Sequence, residues 1–299
     1  MKFDVYQHVT DTICEMLESG TAPWRKPWAG NNAAACEMPR NATTGRPYSG
    51  VNVLLLWARA ARAGYATSQW ATYKQANAAG GQVRKGEKGT TVVFFKFIED
   101  KKDPKKRIPM ARSFTVFNLD QIDGLDHLRE QPVTPVEPSD FARIAEVDHW
   151  VLSQGATIKV SDLDRAFYQP GKDFIHIPRT EQFASQHGYY GTLLHELVHW
   201  TGHESRTDRR DGMAGRFGDE AYAMEELVAE LGAAFLGAQF GIDPNNTRDG
   251  IEQHASYIKS WVKKLREDKK AIFTASSKAQ AAVEWLHTNA AANVDQMAA

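Results

Sequence analysis

Residues 195–199 read His-Glu-Leu-Val-His, and their types and spacing could do chemistry directly. Residues four apart lie one above the other on an α-helix, so His195 and His199 can offer imidazole nitrogens to one metal ion. Glu196 lies about 100° further round the same helix, where its carboxylate can reach a water molecule on the metal without binding the metal itself. The pattern predicts a zinc-dependent hydrolytic centre with Glu196 as the general base.

A zinc ion of this kind needs a third protein ligand, and a catalytic site keeps its fourth position for water. Residues 222–236 predict an apolar helix that carries Glu226 and Glu230 at the i, i+4 spacing. We expect Glu226 to bind the metal and Glu230 to accept the free N–H of a ligating histidine. Glu225 is less favoured as a ligand, because the residue four positions after it is Ala229. The motif followed by such a helix resembles the gluzincin class of metallopeptidases.

Two further side chains near the motif are weaker candidates. His203 follows His199 by four residues, but the glycine before it predicts the end of the helix, so His203 is expected at the rim of the site. Tyr222 lies one turn before Glu226 and could donate a hydrogen bond to an oxyanion, with packing in the core as the alternative.

The net charge of −1 hides a strong difference between the two halves of the chain. Residues 20–112 contain 17 Lys and Arg against 5 Asp and Glu, whereas residues 131–299 contain 17 against 24. The first segment also interleaves aromatic residues with its cations. Single-stranded nucleic acid is bound by a cationic groove for the backbone and aromatic faces for the bases. The composition therefore predicts a basic nucleic-acid-binding module joined to an acidic one.

The expected DNA-binding side chains fall into two classes. The rings that could stack on bases, with core packing as the alternative for each, are Trp24, Trp28, Tyr48, Trp70, Tyr73, Phe95 and Phe97. Trp24 and Tyr48 are the preferred stacking residues. The cations expected to contact phosphates are Arg25, Lys26, Arg40, Arg46, Arg84, Lys85 and Lys88. Single-stranded DNA should be bound with little sequence preference, because stacking and phosphate contacts tolerate any base.

Several segments, in order along the chain, carry a family resemblance. They are residues 41–52 (NATTGRPYSGVN), 70–75 (WATYKQ), 83–89 (VRKGEKG), 114–118 (FTVFN), 195–203 (HELVHWTGH) and 225–230 (EELVAE). These segments resemble the ArdC-type antirestriction proteins. The resemblance implies an N-terminal single-stranded-DNA-binding domain, shared with some plasmid primase proteins, fused to a zincin-like metallopeptidase domain. It also implies a protein of conjugative plasmids that protects incoming DNA from host restriction.

The length of 299 residues suits two domains, each with its own core. We expect an α+β fold in which residues 1–125 form a small basic single-stranded-DNA-binding module. Residues 126–140, which contain three prolines, are the expected linker. Residues 141–299 are the expected zincin-like, gluzincin-type metallopeptidase domain, with a polar mobile loop at 204–219 near the site and a frayed alanine-rich tail.

The periodicity of apolar residues also predicts individual elements. Helices are expected at about 4–19, 51–63, 140–153, 248–267 and 277–288, and strands at 91–98, 112–118, 156–160, 166–169 and 173–177. The last two strands should form a hairpin that turns at Pro170 and Gly171. A lysine-rich loop should join the strands at 91–98 and 112–118.

Composition also bears on the compartment. Cys14 and Cys36 are far apart and in no metal-ligand spacing, as expected for reduced thiols of a cytoplasmic protein. The N-terminus has no apolar signal-peptide core, and no run approaches transmembrane length, so no membrane association is expected.

Three functional hypotheses remain open at this stage. The first is a plasmid antirestriction protein that binds single-stranded DNA and carries a zinc-dependent metallopeptidase domain, with host restriction–modification subunits as candidate partners. The second is a DNA-guided protease that acts on DNA-bound proteins. The third is a DNA-binding protein whose metal site is purely structural. Zinc is the expected cofactor, although another divalent metal would suit the same ligands.

Overall fold

The chain has the two-domain α+β architecture that the sequence predicts. The computed structural model describes residues 4–20, 22–24, 37–99, 107–129, 141–183, 185–213, 219–242 and 252–298. The chain divides into an N-terminal unit, Met1–Ile13 with Ala29–Pro132, and a C-terminal unit, Cys14–Trp28 with Val133–Ala299. Residues 14–28 therefore group with the C-terminal unit, whereas the sequence placed them in the basic module. Most of the expected linker, from residue 130 to 140, lies outside the described residues.

The first half of the chain contains short helices and a mixed sheet. The helices are α1 (Val5–Glu18), α2 (Val51–Ala63) and α3 (Tyr73–Ala78), and the strands are β1 (Arg40–Asn41), β2 (Gln69–Thr72), β3 (Gln82–Val83), β4 (Thr90–Glu99), β5 (Arg107–Asn118) and β6 (Ile122–Asp123). One sheet has the order β1-β2-β5-β4, with β1 parallel to β2 and the other pairs antiparallel. Strands β3 and β6 form a separate antiparallel pair. The lysine-rich loop, residues 101–106, lies outside the described residues.

Helix α2 belongs to the core of the N-terminal unit. Its run of valine, leucine and alanine is buried along most of its length, and it ends at Gly64, whose φ of 71° is readily adopted only by glycine. Asn52 on α2 fixes the helix to β4, because its side chain donates to the carbonyl of Val93 and accepts from the N–H of the same residue, each at 2.7 Å. This buried polar pair satisfies both partners and sets the register of helix against sheet.

The second half of the chain is mostly helical. Its helices are α4 (Phe141–Leu152), α5 (Gln186–Trp200), α6 (Arg210–Met213), α7 (Glu220–Phe240), α8 (Glu252–Glu267) and α9 (Ala271–Ala298), and its strands are β7 (Thr157–Ser161), β8 (Phe167–Gln169) and β9 (Phe174–Pro178). The strands form one sheet of order β7-β9-β8, in which β9 is parallel to β7 and antiparallel to β8. The expected hairpin around Pro170 is present, and Asp173 completes its turn with a φ of 47°.

Helices α5 and α7 pack closely, and this contact positions the residues of the HExxH motif. Helix α5 begins after Ser185, whose hydroxyl accepts a hydrogen bond from the N–H of Gly188 at 3.0 Å. Gly232 on α7 faces Val198 on α5 so closely that a Cβ at Gly232 would lie 2.8 Å from a Val198 methyl carbon. Since real Cβ atoms do not approach so closely, a glycine is needed where the two helices meet.

One expectation about the second half of the chain is wrong. The alanine-rich tail is helical as far as Ala298, since alanine has the highest helix propensity and two side chains of α9 bind the turn after α4. Asn289 donates to the carbonyl of Gln154 at 2.9 Å, and Asn293 donates to that of Ser153 at 2.7 Å. Residues 204–213, part of the loop expected at 204–219, make the side-chain hydrogen bonds described below; residues 214–218 lie outside the described residues. No helix in the described part of the chain is long and apolar enough to cross a membrane.

Candidate metal centre

The candidate metal centre lies where α5 packs against α7. His195 and His199 lie one turn apart on α5, and Glu226 faces them from α7. One carboxylate oxygen of Glu226 is 3.6 Å from Nε2 of His195, and the other is 3.5 Å from Nε2 of His199. One ligand atom from each of the three residues lies within 4.8 Å of the other two. The structure thus brings together the three side chains that the sequence singled out as metal ligands.

The donor set fits a divalent metal ion. Two imidazole nitrogens and one carboxylate are ligands that zinc and other first-row divalent metals accept. The two imidazole rings lie edge to face, with centroids 4.8 Å apart. Three protein ligands leave one tetrahedral position for water or substrate, as catalytic sites do and fully closed structural sites do not.

Each histidine meets a second carboxylate on the far side of its ring. Nδ1 of His195 lies 3.5 Å from a carboxylate oxygen of Glu230, which is where the sequence predicts Glu230 to act. Nδ1 of His199 lies 3.3 Å from a carboxylate oxygen of Glu225. A carboxylate can only accept, so each Nδ1 carries a proton here, and a metal that replaces the proton on Nε2 would bind that nitrogen of each ring. Glu225 is thus outside the candidate ligand set but contacts a ligand, a role that sequence reasoning missed.

A signal for the role of Glu225 was present in the sequence. Adjacent residues on a helix lie about 100° apart, so two consecutive glutamates can flank one histidine of a facing helix on its two nitrogens. Glu225 and Glu226 do this around His199. The i, i+4 rule that favoured Glu230 considers only one helix and therefore cannot find such a pair.

Glu196 is buried beside the two histidines. Burial raises the pKa of its carboxyl, and the positive charge of protonated His195 and His199 opposes that rise. A backbone hydrogen bond from Tyr168 on β8 also favours the ionised form. A carboxylate whose pKa is raised by burial, next to a candidate metal position, is suited to accept and return a proton.

In the metal-free centre the pKa values of both histidines are raised, so the two rings hold protons more tightly than free imidazoles do. Burial disfavours the charged form of His199, but hydrogen bonds to Glu225 and Glu226 outweigh burial and raise its pKa to about 9. The pKa of His195 is also raised, because its hydrogen bonds to Glu226 and Glu230 outweigh its burial. Burial would raise the pKa of Glu226, but hydrogen bonds from the two histidines hold it well below its usual range. The centre therefore attracts positive charge.

Tyr222 and His203, the two weaker candidates near the motif, differ in what they contact. The hydroxyl of Tyr222 makes hydrogen bonds with Glu226 and with Tyr257, and burial together with the charge of Glu226 raises its pKa, so it stays protonated. The imidazole of His203 instead pairs with Ser205, Nδ1 to Oγ at 2.9 Å. Of these two candidates, the structure places only Tyr222 against the metal ligands.

Comparison with known proteins agrees with this two-part chain. Residues 3–117 match the N-terminal domain of the anti-restriction factor ArdC, and residues 145–278 match the zincin-like metallopeptidase family. The crystal structures of the antirestriction protein ArdC from plasmid R388 align with a TM-score of 0.79 at 44% and 45% identity. They cover 97% of this chain, which in turn covers 98% and 99% of theirs. The chain belongs to the ArdC antirestriction family. Its zincin-like domain implies a divalent metal, and one of the two R388 structures contains Mn(II).

Three other relatives are similar to this chain over most of its length. The uncharacterized protein y4eC of Sinorhizobium fredii is 39% identical over 95% of this chain and 92% of its own length. A DNA primase TraC of Escherichia coli is 41% identical over 94% of this chain, but the aligned region is only 27% of that primase. A second TraC primase of the same species is matched over 19% of its length. The ArdC-family chain thus spans about a quarter or less of these primases.

The structure corrects the choice of stacking residues in this ArdC-family protein. Trp24 is 3% exposed and packs edge to face against Trp261, with ring centroids 6.0 Å apart, inside the C-terminal unit. Tyr48 is 7% exposed, and Trp70 is fully buried. Large apolar rings gain most from burial, so these three belong to the cores and cannot present a face to a base. Tyr73 is exposed as the stacking hypothesis requires.

The expected phosphate-binding cations divide into those at the surface and those outside the described residues. Arg40, Arg46, Arg84, Lys85 and Lys88 are all exposed. Arg84 already pairs with Glu87 at 2.9 Å and with Asp123 at 3.3 Å. Arg25, Lys26 and Trp28 lie outside the described residues, as do the side chains of Phe95 and Phe97.

Sequence reasoning missed an exposed pair of rings on the large sheet. Phe94 on β4 is 48% exposed and Phe114 on β5 is 45% exposed, and their rings meet edge to face with centroids 5.3 Å apart. In the antiparallel register Phe94 lies opposite Arg112, and Phe114 lies opposite Val92. Directly opposed residues share a face, as do residues two apart, so Arg112 and both rings lie on one face of the sheet. We call these three residues the Phe94–Phe114–Arg112 patch.

Proposed function

We propose that this ArdC-family protein binds single-stranded DNA through its N-terminal unit and hydrolyses peptide bonds at a zinc ion in its C-terminal unit. The observation that carries the hydrolytic half is the convergence of His195, His199 and Glu226, with Glu196 beside them. The biological outcome is protection of incoming DNA from host restriction, in keeping with the family.

The residues around the centre have distinct parts in the proposed reaction. His195, His199 and Glu226 would hold the zinc ion, which would supply a Lewis acid and would lower the pKa of water at the site. Glu196 accepts the proton of the attacking water and passes it to the leaving amine. Its raised pKa suits both transfers. Tyr222 is kept protonated by burial and by Glu226, and its hydroxyl would donate to the oxyanion by turning away from the Glu226 carboxylate.

Two features favour a catalytic centre over the purely structural metal of the alternative hypothesis. The three-ligand set leaves a coordination position open, whereas structural zinc sites use four protein ligands. Glu196, which is not among the three ligands, is buried next to them, and the desolvation of its carboxylate costs stability. Such a cost is expected where the carboxylate takes part in a reaction. A structural site has no need of such a residue.

For the DNA-binding half, we propose that bases stack on the Phe94–Phe114–Arg112 patch in place of Trp24 and Tyr48. Each exposed ring offers apolar area that water contacts in the free protein, and base stacking buries that area whatever the base. Arg112 can contact a phosphate or stack on a neighbouring base. Exposed Arg40, Arg46, Lys85 and Lys88 supply further positive charge in the same unit.

The hydrolytic half is tested on the full chain with two kinds of substrate. Purified restriction–modification subunits and proteins crosslinked to DNA are incubated with the zinc-loaded protein, with and without single-stranded DNA. Cleavage of restriction subunits supports proteolytic antirestriction, whereas cleavage of crosslinked proteins only in the presence of single-stranded DNA supports a DNA-guided protease. No cleavage of either substrate by protein that is fully loaded with zinc would favour the structural-metal alternative.

The DNA-binding half is tested by fluorescence anisotropy at physiological salt. We expect tighter binding of single-stranded than of duplex DNA of the same length, because only unpaired bases expose their faces for stacking. Equal affinity for the two would leave only nonspecific attraction between cations and phosphates. In that case the stacking surface would be rejected, and the hydrolytic half would be unaffected.

A further inference from the structure

The carboxylate of Glu225 is held by more than the histidine that it contacts. Arg209, which follows α5 by nine residues, donates from Nε to both carboxylate oxygens of Glu225, at 3.3 and 3.1 Å, and from Nη2 to one of them at 3.0 Å. Both side chains are almost completely buried. A buried charged pair with several hydrogen bonds has a fixed geometry, because any other arrangement leaves a charge without a partner.

The remaining donors of Arg209 bind the end of α5. Nη2 donates to the carbonyl of Val198 at 2.7 Å, and Nη1 donates to the hydroxyl of Thr201 at 2.9 Å. Nη1 also donates to the hydroxyl of Thr207. The guanidinium therefore connects the last turn of α5, which carries His199, to the carboxylate of α7 that faces the same histidine.

A glycine lies against the side chain of Glu225. A Cβ added at Gly212 would lie 3.0 Å from Cβ of Glu225 and 3.3 Å from its Oε2 atom. Gly212 thus leaves the space that the glutamate side chain occupies, while Arg209 fixes the direction of its carboxylate. Held by Arg209 in this space, the carboxylate of Glu225 meets Nδ1 of His199 at 3.3 Å.

We propose that Arg209 is a positioning residue for the metal centre and acts through Glu225. By fixing the Glu225 carboxylate against Nδ1–H of His199, it holds the imidazole in the tautomer and orientation that present Nε2 to the metal. It also balances the charge of Glu225, so that this carboxylate does not turn toward the metal in competition with its neighbour Glu226. The inference rests on the metal centre of the proposed function and adds to it a residue that is not a ligand.

The test measures Zn²⁺ affinity of the full chain by competition with a chromophoric chelator. Outer partners of metal-binding histidines typically contribute about 10–100-fold to metal affinity. We expect a loss of that size for Arg209→Met and a smaller one for Arg209→Lys, which keeps the charge but cannot make the forked contacts. The matched control is Arg210→Met, because Arg210 is the adjacent arginine and its partners are Asp208 and Glu204 at the surface. That control should bind zinc as tightly as the parent protein.

Two further readouts separate positioning from general loss of stability. The losses of zinc-binding free energy caused by Arg209→Met and by Glu225→Gln should not add up in the double variant, because both substitutions remove the same contact. The visible spectrum of the Co²⁺-loaded protein should also change in Arg209→Met, since ligand orientation sets the coordination geometry. Should Arg209→Met fail to fold, the same cycle is run with Arg209→Lys.

The outcomes are distinguishable. If the parent protein binds no zinc, the proposed metal centre is itself wrong. If the parent binds zinc and a folded Arg209 variant matches it in affinity and in Co²⁺ spectrum, only the positioning role is overturned. Additive losses in the cycle would likewise show that Arg209 does not act through Glu225.

Discussion

Nδ1 of His195 lies 3.5 Å from a carboxylate oxygen of Glu230, one helical turn beyond the candidate ligand on α7. The i, i+4 argument from sequence predicts this contact, and Nε2 of His195 is left to face Glu226 and the candidate metal position. Because a carboxylate partner orients the imidazole and makes it a better ligand, its loss should weaken metal binding without removing a ligand.

The first prediction concerns this contact. Glu230→Gln should lower Zn²⁺ affinity by about 10–100-fold, because the amide still accepts a hydrogen bond but carries no charge. Glu226→Ala should empty the site, since it removes a ligand. Glu204→Gln, a change at an exposed carboxylate that pairs with Arg210, serves as the control and should leave affinity unchanged. Metal analysis after dialysis ranks the three variants; full occupancy in Glu226→Ala would show that the third ligand is another residue, with Glu225 and His203 as the next to test.

The second prediction is a pH dependence with opposite signs for metal binding and for stability of the metal-free protein. Zn²⁺ must displace the proton of His199, whose pKa in the metal-free protein is about 9, so zinc affinity should rise with pH up to that value. The same raised pKa stabilises the metal-free fold. That contribution is complete below the ordinary histidine pKa of about 6.5 and is lost as the pH rises through about 9.

The pH dependence of zinc affinity and that of stability can be measured on one preparation. Zinc affinity is obtained at several pH values by chelator competition, corrected for protonation of the chelator, and the Tm of the metal-free protein is followed by circular dichroism. Affinity that is flat between pH 6.5 and 9 would contradict the proton displacement. A Tm of the metal-free protein that rises over the same interval would contradict the linkage.

The third prediction separates hydrolysis from metal binding. Glu196→Gln should keep the fold and the zinc affinity, because Glu196 is not among the grouped ligand atoms. Peptidase activity should fall by about 10²–10⁴-fold, the usual contribution of a general base. Unchanged cleavage would remove Glu196 from the mechanism. If the variant still protects incoming DNA from restriction in cells, proteolysis is not the means of protection.

The grouping of the metal ligands could be predicted because it depends on local geometry. The four-residue spacing places His195 and His199 on one face of a helix whatever surrounds it, and the same spacing selected Glu226 and Glu230 on a second helix. The spacing does not predict the path of the chain between the two helices. Arg209 reaches Glu225 only because the segment after α5 turns back along the helix, and nothing in the sequence near Arg209 indicates that turn.

The aromatic residues could not be sorted for a related reason. Trp24 and Phe94 both stand in segments rich in apolar and basic residues, yet Trp24 is among the rings that the sequence singles out for stacking and Phe94 is not. Their burial is decided by partners distant in sequence: Trp261, in α8, packs on Trp24, whereas Phe94 meets Phe114 at the exposed end of a sheet face. Burial of a ring is a property of tertiary structure, so the sequence could not predict which rings are exposed.

The fourth prediction concerns the charges of the N-terminal unit. Each phosphate contact contributes about 0.7 to the slope of log K against log salt for a single strand. Lys85→Ala with Lys88→Ala should therefore flatten the slope for single-stranded DNA. Arg84→Ala should flatten it less, because Glu87 and Asp123 already neutralise part of its charge. The slopes are measured by anisotropy over a series of salt concentrations; a steeper effect from Arg84 than from the lysine pair would show that its ion pairs open on binding.

The last prediction separates stacking from packing. Phe94→Ala and Phe114→Ala should each weaken single-stranded DNA binding by about 1–3 kcal/mol and leave the salt slope unchanged, since a stacked ring carries no charge. Their effect on stability should be small, because nearly half of each side chain is already exposed. Trp24→Ala should do the reverse. It opens a cavity against Trp261 and should cost about 3–5 kcal/mol of unfolding free energy, while the fraction that remains folded keeps its DNA affinity.

Thermal unfolding and anisotropy on the same three variants decide between the two classes. If Phe94→Ala and Phe114→Ala lower Tm strongly and leave affinity unchanged, the patch is part of the core and stacking must occur elsewhere, with exposed Tyr73 as the next ring to test. If Trp24→Ala stays fully folded and loses affinity, the original choice of Trp24 is restored. A loss of affinity on duplex DNA equal to that on single strands would also reject the patch, because paired bases expose no face for a phenyl ring to cover.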